Sequence, residues 1–272
     1  MKLASVLAMV VLALGLPSRA ANAQELVLAI NEGVTYQDGG PAGERYRPLI
    51  QMLSKELKQN IRLMTVDKYS AFEKGLADGK YDLVFIHPAQ VGLQAVKRDG
   101  YVGLATAKGY TDYRARVMVA KNSPLKTLQD LRGKKIGVPA VESITTTMFT
   151  AALRELGFPH PEDAYTATRY QDAVPFMVEN GFVDAGVTGS GKVAQAWATK
   201  GGRILAETKP IPIKQFLASG KMSDADREKV RTLLLGLSET EAGKATLAKI
   251  GMTGFVPWNT AVMNEAAARL GI

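Results

Sequence analysis

Hydroxyl-bearing side chains gather where the chain turns from strand to helix, a placement that suits holding an anion. In Val141-Glu142-Ser143-Ile144-Thr145-Thr146-Thr147, four of the five positions from 143 to 147 carry hydroxyls, just after an expected strand at 136–138. The first N–H groups of a helix lack intrahelical acceptors, and the helix dipole favours negative charge beside them. Ser143, Thr145 and Thr146 add donors there without adding charge. Ordinary capping needs one hydroxyl, and threonine is a mediocre helix former, so the run reads as a ligand cradle. Three other junctions share the pattern: His87-Pro88-Ala89-Gln90, with Pro88 suited to a first helical position; Lys68-Tyr69-Ser70; and Thr188 with Ser190. His87 reads either as a ligand contact or as a structural cap, and Tyr69 as site or core. All four places fall at the carboxyl ends of expected strands, where open α/β sheets collect ligands.

Catalytic constellations are poorly supplied. The chain has two histidines and no cysteine, which excludes a disulfide framework, a thiolate metal site, a thiol nucleophile and a cysteine for lipid attachment. His160, within Pro159-His160-Pro161, reads as an exposed loop residue. No HExxH, GxSxG or Walker motif occurs, and the glycines between 186 and 191 lack the Lys-Ser/Thr and the spacing of a nucleotide loop. The expectation is a binding protein rather than an enzyme, with no cofactor and no metal.

The elements that must position these junctions alternate along the chain. Leu26 to Ile30 reads as a first buried strand, and Leu49, Ile50, Leu53 and Leu57 predict a helix over 46–57. Further strands are expected at 61–66, 81–86, 116–120, 136–138, 164–170, 184–187 and 203–206. Helices are expected at 69–77, 88–97, 125–131, 145–156, 171–180 and 190–199. Beyond that the chain reads as mostly helical. Ser223 with Asp226, and Ser238 with Glu241, resemble capping boxes, and Asn259 opens a final helix. The alternation predicts an α/β protein with mostly parallel sheets and flanking helices. With no linker between two such units, the chain is expected to cross between two lobes more than once.

The first residues carry an export pattern: Lys2, the apolar run from Leu3 to Leu16, Pro17-Ser18, and Ala21-Asn22-Ala23 before Gln24. This reads as a signal peptide over 1–23, cleaved before Gln24, which places the protein in the periplasm. The run is shorter than the about 20 residues that span a bilayer, so no membrane insertion is expected after cleavage. Net charge is +8 with both signs interspersed. Arg132-Gly133-Lys134-Lys135 reads as a solvated turn rather than a nucleic-acid patch. A modest positive field suits an anionic ligand.

Several phrases, in order, resemble the phosphate/phosphite/phosphonate-type periplasmic binding proteins of ABC transporters. They are Tyr46-Arg47-Pro48-Leu49, Leu53-Ser54-Lys55-Glu56-Leu57, Lys80-Tyr81-Asp82-Leu83-Val84-Phe85, the stretch 121–135, Val183-Asp184-Ala185-Gly186-Val187 and Gly254-Phe255-Val256-Pro257. The resemblance covers nearly the whole chain after residue 23. It implies the two-lobed type II periplasmic binding fold, with 24–110 plus 212–272 as lobe 1, 111–211 as lobe 2, and ligand between them. It implies hinge closure on a small oxyanion such as a phosphonate or phosphite, and delivery to a permease. The family's Ser-Thr-Ser run at a helix start matches the region from Ser143 to Thr146, interrupted by Ile144, and a family tyrosine corresponds to Tyr69. Val91 stands where the family has a tyrosine, after His87-Pro88-Ala89-Gln90. Gln171 stands where it has a histidine. The partners expected are a small anionic or zwitterionic ligand and an ABC permease, with the protein a monomer and no nucleic acid bound. The rival readings are a sensor serving a membrane histidine kinase, and a binder of another organic anion such as a sulfonate.

Overall fold

The computed structural model describes residues 25–32 and 41–272. The expected signal peptide lies outside the described residues.

Two sheets organise the chain. The first contains β1 (Leu26–Asn31), β2 (Ile61–Thr65), β3 (Leu83–Ile86), β4 (Tyr101–Ala107), β10 (Gln215–Ser219) and β11 (Phe255–Pro257), in the order β11-β4-β10-β3-β1-β2. The second contains β5 (Arg116–Val119), β6 (Ile136–Val138), β7 (Tyr165–Ala167), β8 (Ala185–Thr188) and β9 (Arg203–Glu207), in the order β7-β6-β8-β5-β9. In each sheet the first strand after a crossing, β5 or β10, runs antiparallel to both its neighbours. The β1–β2, β1–β3, β6–β7 and β6–β8 pairs are parallel.

Period-two alternation builds both faces of the first sheet. Leu28, Ile30, Leu83, Phe85 and Phe216 meet helix α1 (Ala42–Leu57) through Tyr46, Leu49 and Leu53, and helix α7 (Asp224–Gly236) through Val230 and Leu234. On the other face Ala29, Val84, Ile86 and Leu217 meet α2 (Tyr69–Ala77) through Phe72 and Leu76, and α3 (Ala89–Arg98) through Val91 and Ala95. In the second sheet Val117, Val138 and Val187 pack on α4 (Ile144–Glu155) through Met148, Phe149 and Leu153. Its opposite face holds α5 (Ala173–Glu179) through Val174 and Val178, and α6 (Gly191–Thr199) through Trp197.

The second sheet's core is not self-contained. Ala89 and Leu93 of α3, with Met263 and Ala266 of α9 (Thr260–Arg269), are buried in the same apolar group as Ile144 and Met148. Segments 108–115 and 208–214 carry the chain between sheets and pair with each other. The N–H of Ile211 donates to the Tyr113 carbonyl at 2.9 Å, and that of Ile213 to the Tyr110 carbonyl at 2.9 Å. No helix among the described residues is long and apolar enough to cross a membrane.

Some local expectations need correction. The stretch expected as a helix at 125–131 is only a 3₁₀ turn at Leu128–Leu131. Helix α8 (Glu241–Lys249) is capped by Thr240, whose hydroxyl accepts from the Gly243 N–H at 3.0 Å. Ser238 does not cap it, because a 3₁₀ turn over Leu237–Glu239 precedes the helix and the Ser238 hydroxyl donates to Glu239 instead. Ser223 and Asn259 do cap α7 and α9.

Candidate ligand-binding site

The α4 start is built by its own hydroxyls. Ser143 has an extended backbone, and its Oγ accepts from the Thr146 N–H at 3.2 Å. Thr146 Oγ1 lies 3.2 Å from the Pro139 carbonyl and 3.1 Å from that of Ala140. Carbonyls only accept, so the Thr146 hydroxyl donates to them. Its 3.1 Å contact with Ser143 Oγ therefore uses the Ser143 proton. Thr147 Oγ1 donates to the Ser143 carbonyl at 3.0 Å. Three of the four hydroxyls thus hold the turn itself. The first-turn N–H groups of Ile144 and Thr145 have no acceptor in the helix, and these remain with the Thr145 hydroxyl. Thr145 is fully buried and its Oγ1 lies 2.6 Å from the Tyr113 hydroxyl.

Gln171 borders that contact. Its Oε1 accepts from Thr188 Oγ1 at 2.9 Å, the Gly189 N–H at 2.6 Å and the Ser190 N–H at 2.9 Å. Those donors fix which end of the amide is oxygen. Nε2 then donates to the Tyr113 oxygen at 3.4 Å. One proton joins Tyr113 to Thr145, and the other hydroxyl proton of the pair is left to donate elsewhere. Burial raises the Tyr113 pKa, against the opposing effect of its bonds to Thr145 and Gln171, so the phenol keeps its proton. Gly189 makes the approach feasible: a Cβ there would lie 1.7 Å from the Tyr113 hydroxyl and 2.6 Å from Thr145 Oγ1. Ser190 caps α6 by accepting from the Val193 N–H at 3.3 Å.

The other half of the molecule reaches the same place from α3. Gln90 Nε2 donates to the Glu142 carbonyl at 2.8 Å, across the gap between the two sheets' helices. Its Oε1 is buried with no hydrogen-bond partner among the described residues, as is His87 Nδ1. His87 is only 9% exposed, and its ring meets that of Tyr113 edge-on with centroids 6.3 Å apart. Burial, and after it the positive charge of Lys214, push the His87 pKa down to about 3, so the ring is neutral at ordinary pH. Its main chain is pinned by its N–H to the Asn31 carbonyl at 2.8 Å and by the Lys214 N–H to its own carbonyl at 3.2 Å. Lys214 sits on the returning crossing, with Nζ 4.0 Å from the Tyr110 ring centroid, a cation–π contact.

These contacts bring His87, Gln90, Ser143, Thr145, Thr146, Gln171, Thr188 and Ser190 around Tyr113 and the α4 start. Tyr69 is half-buried as the first residue of α2, beyond β2. Sequence reasoning missed Tyr113, the Glu142 carbonyl and Lys214. No motif marks them; the paired crossings bring in Tyr113 and Lys214, and the Glu142 carbonyl gains its role when α3 meets the α4 start.

Two α/β units built on mixed sheets, joined by paired crossings and facing each other across helix starts, define a solute-binding protein of the type II periplasmic fold. The sequence profile of the family described as ABC transporter, phosphonate, periplasmic substrate-binding protein matches residues 34–262, and the chain belongs to that family. It is the substrate-binding component of a transport system of that class, in a family that works in the periplasm. A Xanthomonas citri protein bound to ATP superposes with a TM-score of 0.76 at 18% identity, covering 90% of this chain and 96% of its own. PhnD1 from Prochlorococcus marinus, in complex with methylphosphonate, gives 0.67 at 16% identity over 91% and 97%. The binding component of a phosphonate transporter from Pseudomonas aeruginosa gives 0.63 at 13% over 90% and 85%. At these identities the superpositions speak for the fold. No curated protein matches the chain in sequence.

Proposed function

We propose that this protein captures a small phosphorus oxyanion, such as a phosphonate or phosphite, at the start of α4 and closes two lobes around it. The lobes are residues 24–110 with 212–272, and residues 111–211. The ligand is handed intact to a permease, with no chemical conversion, by a monomer acting in the periplasm after removal of residues 1–23. One observation carries the reading: the hydrogen bond from Gln90 to the Glu142 carbonyl brings α3 of one half against the α4 start of the other. An anion seated at the Ile144 and Thr145 amides is therefore within reach of both halves, and contacts made only in the closed form shift the population toward it.

Within this reading Thr145, Tyr113, His87 and Gln90 face the ligand. Ser143, Thr146, Gln171, Thr188 and Ser190 shape the place it occupies, and Tyr69 closes the rim. A thermal-shift screen of the purified protein against phosphonates, phosphite, phosphate, sulfonates and uncharged solutes tests it. A true ligand at a hundredfold excess over its dissociation constant adds about 2.7 kcal/mol of stability. Stabilisation by an uncharged compound alone would overturn the oxyanion reading.

A further inference from the structure

The donors and acceptors around the α4 start differ in kind, and the difference constrains the ligand beyond its negative charge. On the α4 side the groups are donors: two first-turn amides and the spare hydroxyl proton of the Tyr113–Thr145 pair. On the α3 side stands an acceptor. The Glu142 carbonyl can only accept, so the amide end of Gln90 facing it is nitrogen. Planarity of the amide then holds Gln90 Oε1 beside the same helix start, buried and with no donor among the described residues. His87 flanks it, nine-tenths buried, with Nδ1 also unpartnered. A fully ionised oxyanion carries only acceptors. Set against Gln90 Oε1, it would leave two oxygens facing each other in a buried place, where unmet polar groups are costly.

We infer that Gln90 selects ligands bearing a proton: its Oε1 accepts the P–OH of a singly ionised phosphonate or hydrogen phosphite, and rejects sulfonates and sulfate, which carry none. This rests on the oxyanion reading and adds to it the protonation state that the site accepts. The titratable groups tied to this point are Tyr113 and His87, with the charges of Arg116 and Lys214 acting on them, Tyr110 beside Lys214, and Glu142, whose carbonyl takes the Gln90 bond. Each belongs to the protein and is the same for a phosphonate and its sulfonate analogue, so the ratio of the two affinities isolates the ligand's own proton.

The test is calorimetry with methylphosphonate and methanesulfonate, near-isosteric probes, on the purified protein and on Gln90→Met, across the second ionisation of the phosphonate. The wild type is expected to prefer methylphosphonate by about tenfold or more, and to lose that preference as pH removes the second proton. Gln90→Met should bring the two affinities together and flatten the pH profile. A merely structural role for Gln90 would weaken both ligands equally and leave ratio and profile unchanged, and that result overturns the inference. So does equal binding of the two probes by the wild type. If neither probe nor phosphite binds, the oxyanion reading itself falls, and this inference with it.

Discussion

The starts of α4 and α6 are built alike and used differently. Each follows a strand of the second sheet, and each is capped by a serine hydroxyl, Ser143 or Ser190. At α6 the amides of Gly189 and Ser190 are taken by Gln171 Oε1, a neutral oxygen supplied by the protein. At α4 the N–H of the capping residue itself, Ser143, donates to the Ala140 carbonyl at 2.8 Å, and Thr145 adds a hydroxyl linked to Tyr113. The amides before the helix thus meet a side-chain oxygen at α6 and a main-chain oxygen at α4. The first helical amides, Gly191 and Lys192 at α6 as well as Ile144 and Thr145 at α4, have no acceptor within their helix in either case. What sets the α4 start apart in the proposed site is the Thr145–Tyr113 pair and Gln90 reaching it from the other half.

Breaking this contrast should be easiest at Gly189. Gly189→Ala drives a methyl into the Tyr113 hydroxyl and Thr145, so it should cost about 1–3 kcal/mol of stability through overpacking. Ligand affinity should fall by more than about tenfold. Denaturant melts and calorimetry check both, and normal affinity would remove the phenol from the cradle. Gln171→Ala should unpin the loop before α6. It takes the acceptor from Thr188 Oγ1 and the Gly189 N–H, while the Ser190 N–H keeps Thr188 Oγ1 at 3.1 Å, a loss of about 1–3 kcal/mol. Added sulfate should restore the melting temperature of this variant far more than that of the wild type.

His87 gives the comparison a pH axis. The folded state keeps the ring neutral down to about pH 3, whereas the unfolded chain takes a proton near its ordinary value. The unfolded state thus binds more protons between the two values, and stability falls as pH drops through that window. The slope approaches about 1.4 kcal/mol per unit, and His87→Asn should flatten this part of a pH-dependent denaturation series. Ser143→Ala should remove a cap worth about 1 kcal/mol, seen as a lower melting temperature, with affinity less affected than in Thr145→Val. If the two variants exchange phenotypes, cap and cradle have been assigned the wrong way round. The smallest effect belongs to Thr147→Val, within about 0.5 kcal/mol in both melting and binding, because its hydroxyl only returns to the Ser143 carbonyl.

Much of this architecture is legible in the residues. The α2 span of Tyr69–Ala77 matches the predicted one, because Phe72 and Leu76 share a face and Gly79 stops the helix. Strands β1, β2, β6 and β8 announce themselves as short apolar runs before turn residues. The unexpected strands have physical reasons for hiding. Gly103 breaks the pattern of β4, yet only glycine lets the Trp258 ring lie over that strand, since a Cβ would come within 2.1 Å of it. Strand β10 is buried throughout its length, so it shows no alternation, and β11 ends in Pro257 at the sheet's edge, where a missing N–H is tolerated. Helix α1 begins at Ala42, ahead of the predicted start, and carries Pro48 within it. At the candidate site the run 143–147 reveals the place but not the division of labour. Counting hydroxyls treats them as equal, whereas carbonyls at 139, 140 and 143 engage two of them. Gln171 reads as a contact by position, and only its three donors show what its oxygen is set against.

Tyr113 belongs to two structures at once. Its carbonyl is tied to Ile211 on the opposite crossing, and its hydroxyl to Thr145 in the cradle. The strap that joins the halves and, in the proposed site, the wall that meets the ligand are thus one residue. A lever whose fulcrum and jaw share a single part transmits bending directly to grip. Changes at Ile211, which is buried in the apolar core shared with Ile144 and Met148, should therefore alter how long the ligand stays more than how fast it arrives.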